Sequence, residues 1–128
     1  LYRAWVSCGP WRRLAESIDA APTEQQLVVF YPRYVEGPVL YHRPELEQTA
    51  LALDASLAPD DLAHLAAQIQ HGDGVKGVTL VVRNDLTVER NVESYRQLRS
   101  LLEGEFGQPT FTQTFGLLSL ARYEQVER

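Results

Sequence analysis

With 128 residues, 45% of them hydrophobic and 23% charged, the chain has the make-up of one globular domain, large enough to bury roughly two thirds of its unfolded surface. A formal charge of -5, with Lys76 the only lysine, argues against general nucleic-acid binding, which depends on neutralising phosphates. No apolar run approaches the ~20 residues needed to cross a bilayer. Cys8 is the single cysteine, which excludes an internal disulfide and a cysteine-based metal cluster.

The chain begins at Leu1 and contains no methionine, which leads to the expectation that its translational start lies elsewhere. It is expected to be a fragment of a longer protein rather than the product of leader removal.

In chain order, GPWRRLAESIDAAP (9–22) sets Trp11, Leu14, Ala15, Ile18 and Ala21 on one face at helical spacing, with Pro10 in the first turn and Pro22 as a stop. LVVFY (27–31) is short, continuously apolar and rich in β-branched and aromatic residues, the pattern of a strand buried on both faces. Gly37 and Pro38 predict a loop over 33–48 with a helical turn around Val39–His42. TALALD (49–54) fits a second short strand. APDDLAHLAAQIQHG (58–72) predicts a helix with Pro59 in its first turn, Asp60 and Asp61 complementing the dipole, and Gly72 as a stop.

GVTLVVRN (77–84) predicts another buried strand. NVESYRQLRSLLEGEF (91–106) predicts a helix with Val92, Tyr95, Leu98, Leu102 and Phe106 on one stripe. The tail, PTFTQTF (109–115) and GLLSLARYE (116–124), predicts two strands or one strand bent at Gly116. Helices alternating with buried strands define a single α/β domain, layered α/β/α and Rossmann-like, with a mainly parallel sheet whose last strands are free to run antiparallel.

Most motifs reduce to ordinary structure. Gly72, Gly74 and Gly77 spell a G-x-G-x-x-G, but they follow a helix and precede a strand, the reverse of the order that aims a helix N-terminus at a pyrophosphate. They are a helix stop and a turn, and no cofactor is expected. No P-loop, G-x-S-x-G elbow or H-E-x-x-H is present. His42, His64 and His71 lack metal-ligand spacing. Asp60 and Asp61 are adjacent, so on a helix they diverge by about 100° and cannot face one another as an acid/base pair. Cys8 has no evident partner base, and Arg12 and Arg13 suit a solvated helix face.

The stretch after the first strand carries the candidate binding residues. Ligands of parallel α/β sheets bind beyond the carboxyl ends of strands. Arg33 and Tyr34 follow one such end, Arg83 and Asn84 another, and Tyr41 lies in the segment between. Arginines there suit a phosphate or sugar phosphate, and tyrosines a sugar face. The competing reading is that the tyrosines pack the sheet edge and the arginines are solvated.

WRRLAESIDAAPTEQQLVVFYPRYVEGPVLYHRP (11–44) resembles the C-terminal region of large multi-spanning glycosyltransferases of the GT-C class, similar to dolichyl-phosphate-mannose–protein mannosyltransferases and bacterial lipid A aminoarabinose transferases. In that family a Trp-Arg helix (here Trp11 and Arg12) leads to a strand (27–31) and a Tyr-rich turn (Tyr34 to Tyr41). An apolar strand with a polar loop (79–84), a helix and a final strand follow. Many members carry a second Tyr beside the position of Tyr41, where this chain has His42.

The resemblance implies a non-catalytic extracytoplasmic domain on the periplasmic side of the membrane. Its partner would be the transmembrane portion of the same parent chain, which uses a polyprenyl-phosphate-linked sugar donor. The catalytic acids of such enzymes lie in the membrane portion, so no residue here inherits a catalytic role. The alternative is an autonomous α/β domain binding a phosphorylated small molecule, with a stand-alone transferase of methyltransferase-like fold disfavoured because no glycine-rich loop follows the first strand.

Overall fold

The computed structural model describes residues 9–18, 26–54, 56–70, 76–83 and 91–124. Its elements are α1 (Gly9–Ser17), β1 (Gln26–Tyr31), a 3-10 turn (Arg33–Val35), α2 (Glu36–His42), a second 3-10 segment (Pro44–Thr49), β2 (Ala50–Ala52), α3 (Pro59–Gln70), β3 (Gly77–Arg83), α4 (Val92–Phe106), β4 (Phe111–Phe115) and β5 (Leu118–Glu124). Cys8, Ala21, Pro22, His71, Gly72, Asp73, Gly74 and Asn84 lie outside the described residues.

The five strands form one mixed sheet in the order β2-β1-β3-β5-β4. β1 runs parallel to both β2 and β3, whereas β5 runs antiparallel to β3 and to β4. The sheet is therefore parallel on one side and antiparallel on the other, rather than mainly parallel. The tail supplies the antiparallel half because Gly116, at φ 62, turns the chain back within two residues. A positive φ at that point suits glycine, which has no Cβ to clash.

Strand alternation splits the core in two. Val28 and Phe30 of β1, Val81 of β3 and Leu118 and Leu120 of β5 pack with Trp11, Leu14, Ala15 and Ile18 around α1 and with Val39 of α2. Leu27, Val29 and Tyr31, with Val78, Leu80 and Val82, pack instead with Leu65 and Ile69 of α3 and Leu98, Leu102 and Phe106 of α4. Because successive side chains point to opposite faces, a strand serving both clusters must be apolar at every position. β1 and β3 meet that requirement over Leu27–Tyr31 and Val78–Val82 but for the buried Thr79, with polar Gln26 and Arg83 only at a strand end. Each fully buried Leu, Val or Phe contributes about 1.5–3 kcal/mol.

Helix ends follow local chemistry. The Asp61 carboxylate accepts a 3.0 Å bond from the Ala58 N–H just before α3, the reach-back half of a capping box. The segment 33–48 is more helical than its glycine and proline suggest. Gly37 and Pro38 occupy the first turn of α2, where a missing N–H costs nothing because that donor has no intrahelical acceptor. On α4 the expected stripe holds for Leu98, Leu102 and Phe106, with Tyr95 half-buried, but Val92 in the first turn is exposed.

Candidate functional site

The sheet register brings three chain exits together. Phe30 is opposite Ala52 and Tyr31 is opposite Val82, so Arg33, Asp54 and Arg83 all emerge at the carboxyl end of the parallel strands. The exit of β2 is tied down by a 2.9 Å bond from the Leu53 N–H to the Phe30 carbonyl.

Each arginine there is engaged within the chain. Arg33 donates through Nε to the Asp54 carboxylate at 2.9 Å, with both side chains largely exposed. The Arg83 guanidinium lies 5.9 Å from the centre of the Trp11 ring, a cation–π arrangement that attaches the end of β3 to α1. Tyr34 is exposed in the 3-10 turn, and Tyr41 is exposed on the last turn of α2, edge-on to His42 at 5.1 Å. Of the expected set, Arg33, Tyr34 and Arg83 follow the ends of the adjacent strands β1 and β3, with their guanidiniums engaged by different partners, Tyr41 lies on α2, and Asn84 is outside the described residues. Tyr31 is fully buried and belongs to the core.

Arg43, at the end of the same stretch, holds two segments together. Its Nη1 donates to the carbonyls of Ala15 (3.0 Å) and Ile18 (2.9 Å), and its Nε to the Glu45 carboxylate. It therefore adds a charged donor to carbonyls at the C-terminal end of α1, where the Ala15 carbonyl also accepts a 3.3 Å bond from the Ile18 N–H. The Arg43 hydrogen bond holds the Glu45 carboxyl below the usual range.

A second group of polar side chains lies on the other face of the sheet, around a cavity of about 130 Å³ lined by Leu80, Val82, Tyr95, Arg99, Ser119 and Tyr123 among others. Tyr31 stacks on Tyr95 with ring centres 5.9 Å apart and planes 8° from parallel. The Arg99 guanidinium sits 5.8 Å from the Tyr95 ring centre and bonds Glu103 at 3.4 Å. Burial pushes the Tyr31, Tyr95 and Tyr123 hydroxyls up from the ordinary phenol value, while Arg99 pulls the latter two partly back. All three are therefore protonated at neutral pH and act as hydrogen-bonding groups rather than bases. The signal missed in the sequence is the spacing Tyr95–Arg99–Glu103, one residue per turn along a single helix face.

Among the described residues no three His, Cys, Asp or Glu side chains come together to hold a metal ion. His64 is taken up by Gln68 at 2.9 Å. No helix among the described residues is long and apolar enough to cross a membrane. Comparison with protein families, with curated proteins and with solved structures gives no match.

Proposed function

We propose that this chain is the non-catalytic extracytoplasmic domain of a membrane glycosyltransferase that draws its sugar from a polyprenyl-phosphate carrier. On this reading it is a layered, Rossmann-like α/β/α domain packed over the transmembrane body of its own parent chain, on the periplasmic side. The observation that carries the reading is the order of elements. A Trp-Arg helix, a buried strand, a Tyr-bearing helical segment, an apolar strand, a long helix and a final strand occur in that order, with β2 and α3 before the apolar strand and β4 before the last, and this order supports the reading.

The test is the size and location of the native protein, probed with an antibody raised against these 128 residues. The expected band is several times heavier than 14.5 kDa, in the membrane fraction and released only by detergent. A band near the chain's own mass in the soluble fraction would discard the reading.

One observation favours a second reading, binding of a phosphorylated small molecule: the register gathers Arg33 and Arg83 at one sheet end. Asp54 takes up the Arg33 Nε and sets a negative charge beside it, which opposes an incoming anion. Calorimetry with sugar phosphates should then show tighter binding to Asp54→Ala and none to Arg33→Ala. Equal behaviour of the two variants would remove this site.

A further inference from the structure

The edge strand β4 reads Phe111-Thr112-Gln113-Thr114-Phe115, the same sequence in both directions. Its first four residues are exposed, and it closes the sheet at one end, with β5 on one side and no strand among the described residues on the other. Natural edges are usually protected from pairing by a charge, a proline, a bulge or extreme shortness. The opposite edge, β2, has only three residues. Within β4 itself there is no charge and no proline and its residues pair one to one with β5; the protecting features stop at its first residue, where Pro109 precedes and the Thr110 N–H also reaches the Arg122 carbonyl opposite Phe111, as in a bulge.

The direction of the backbone groups follows from the hairpin. Phe115 and Leu118 flank a two-residue turn and are directly opposite, so they form the pair that the turn hydrogen bond closes. Pairs alternate along an antiparallel ladder between bonded and non-bonded. Phe115, Gln113 and Phe111 therefore turn their N–H and C=O groups inward to β5, and Thr114 and Thr112 turn theirs outward.

We infer that β4 is a self-association edge, pairing antiparallel with β4 of a second copy of the chain about a two-fold axis at Gln113. In that register each Thr112 exchanges both backbone bonds with Thr114 of the other copy. Phe111 faces Phe115 of the other copy, and the two Gln113 residues meet at the axis. A two-fold contact requires that residue i meet j while j meets i. A palindromic strand satisfies this with aromatic opposite aromatic and threonine opposite threonine, both favourable cross-strand pairs. This symmetry is what selects a second copy over an unrelated strand.

The two sheets would join into one across ten strands, independently of which ligand or membrane partner the domain serves. Five residues a side fall short of the ~1,200 Å² that marks stable specific interfaces, so the dimer is weak. Each copy carries -5, and screening of that repulsion strengthens association as salt rises.

The test uses a Cys8→Ala background with a new cysteine at Gln113 or at Leu117. Both positions are exposed, but Leu117 lies in the turn beyond Phe115, itself two strand residues from the axis, so its two copies are more than about 13 Å apart at 3.3 Å per residue, too far for a disulfide. Under mild oxidation at about 1 mM chain, Gln113→Cys should form disulfide dimers at least tenfold faster than Leu117→Cys. Adding Thr114→Pro, which removes an outward N–H without touching the β5 ladder, should reduce that rate to the Leu117→Cys level with the circular dichroism spectrum unchanged.

Should the proline unfold the chain, Gln113→Lys is the second variant. It opposes two like charges at the axis and should abolish the doubling of mass seen by light scattering. Equal cross-linking at 113 and 117 would overturn the inference. So would a dimer that survives Gln113→Lys, or a mass that grows past twice 14.5 kDa, which would indicate open-ended strand addition.

Discussion

Replacing Arg43 with methionine removes the guanidinium while keeping the length of the apolar stem. The lost contacts are the two bonds to the Ala15 and Ile18 carbonyls at 3.0 and 2.9 Å, together with the bond to Glu45. Bonds from a charged donor are worth about 1.5–3 kcal/mol each when both groups are desolvated. Arg43 is 22% exposed in its side chain, so water replaces part of what is lost, and about 2–3 kcal/mol for the pair is the reasoned value. Unfolding entropy of about 2.1 cal/mol/K per residue gives ~0.27 kcal/mol/K for a chain of this length, so the melting temperature should fall by about 7–11 °C. Arg43→Lys keeps the charge but not the fork, and should recover half of the loss or less. Urea unfolding followed by far-ultraviolet circular dichroism measures both. A loss under about 0.5 kcal/mol for the methionine variant, or a lysine variant as stable as the parent, would refute the reasoning.

Alkaline pH offers a second check. Tyr31, Tyr95 and Tyr123 have raised values in the folded chain, so above the unfolded value of about 10 the folded state holds protons that the unfolded state releases. Stability is fully present below that pH and is lost as pH rises toward the folded values. Absorbance at 295 nm should show these tyrosines ionising together with loss of the dichroism signal; ionisation of every tyrosine with the fold intact would contradict their burial. Leu98 is fully buried beneath α4, and Leu98→Ala should cost about 2–5 kcal/mol. Arg33→Ala breaks only an exposed pair and should stay within about 0.5 kcal/mol of the parent in the same urea titration.

The elements whose pattern arises from burial were legible in the sequence. β1 and β3 declare themselves because a strand covered on both faces is apolar at nearly every position, and α4 because Leu98, Leu102 and Phe106 repeat at helical spacing. The segment 33–48 was less legible. Proline signals a break or a beginning with equal force, and only tertiary packing of Val35, Val39 and Leu46 into the α1 cluster decides for a beginning. The candidate arginines were legible as positions at strand ends, but their engagement was not. Asp54 is 21 residues from Arg33, and Trp11 is far along the chain from Arg83. Likewise nothing local marks Arg43 as the partner of carbonyls 25 and 28 residues earlier.

The place of β5 has a consequence for how the chain can be made. It is the last described strand in sequence, yet it sits inside the sheet between β3 and β4. As the chain leaves the ribosome, β1, β2 and β3 can align early, but the flank of β3 stays open until residues 118–124 emerge. β4, already synthesised, has no neighbour to join before then. A chain stopped short of Leu118 therefore exposes Val78 to Val82 along an unpaired edge and strands the uncharged β4 beside it, an invitation to aggregation. Completion of the sheet is a late, single event, and a quality-control protease meeting the nascent domain would find its most vulnerable form just before the final turn at Gly116.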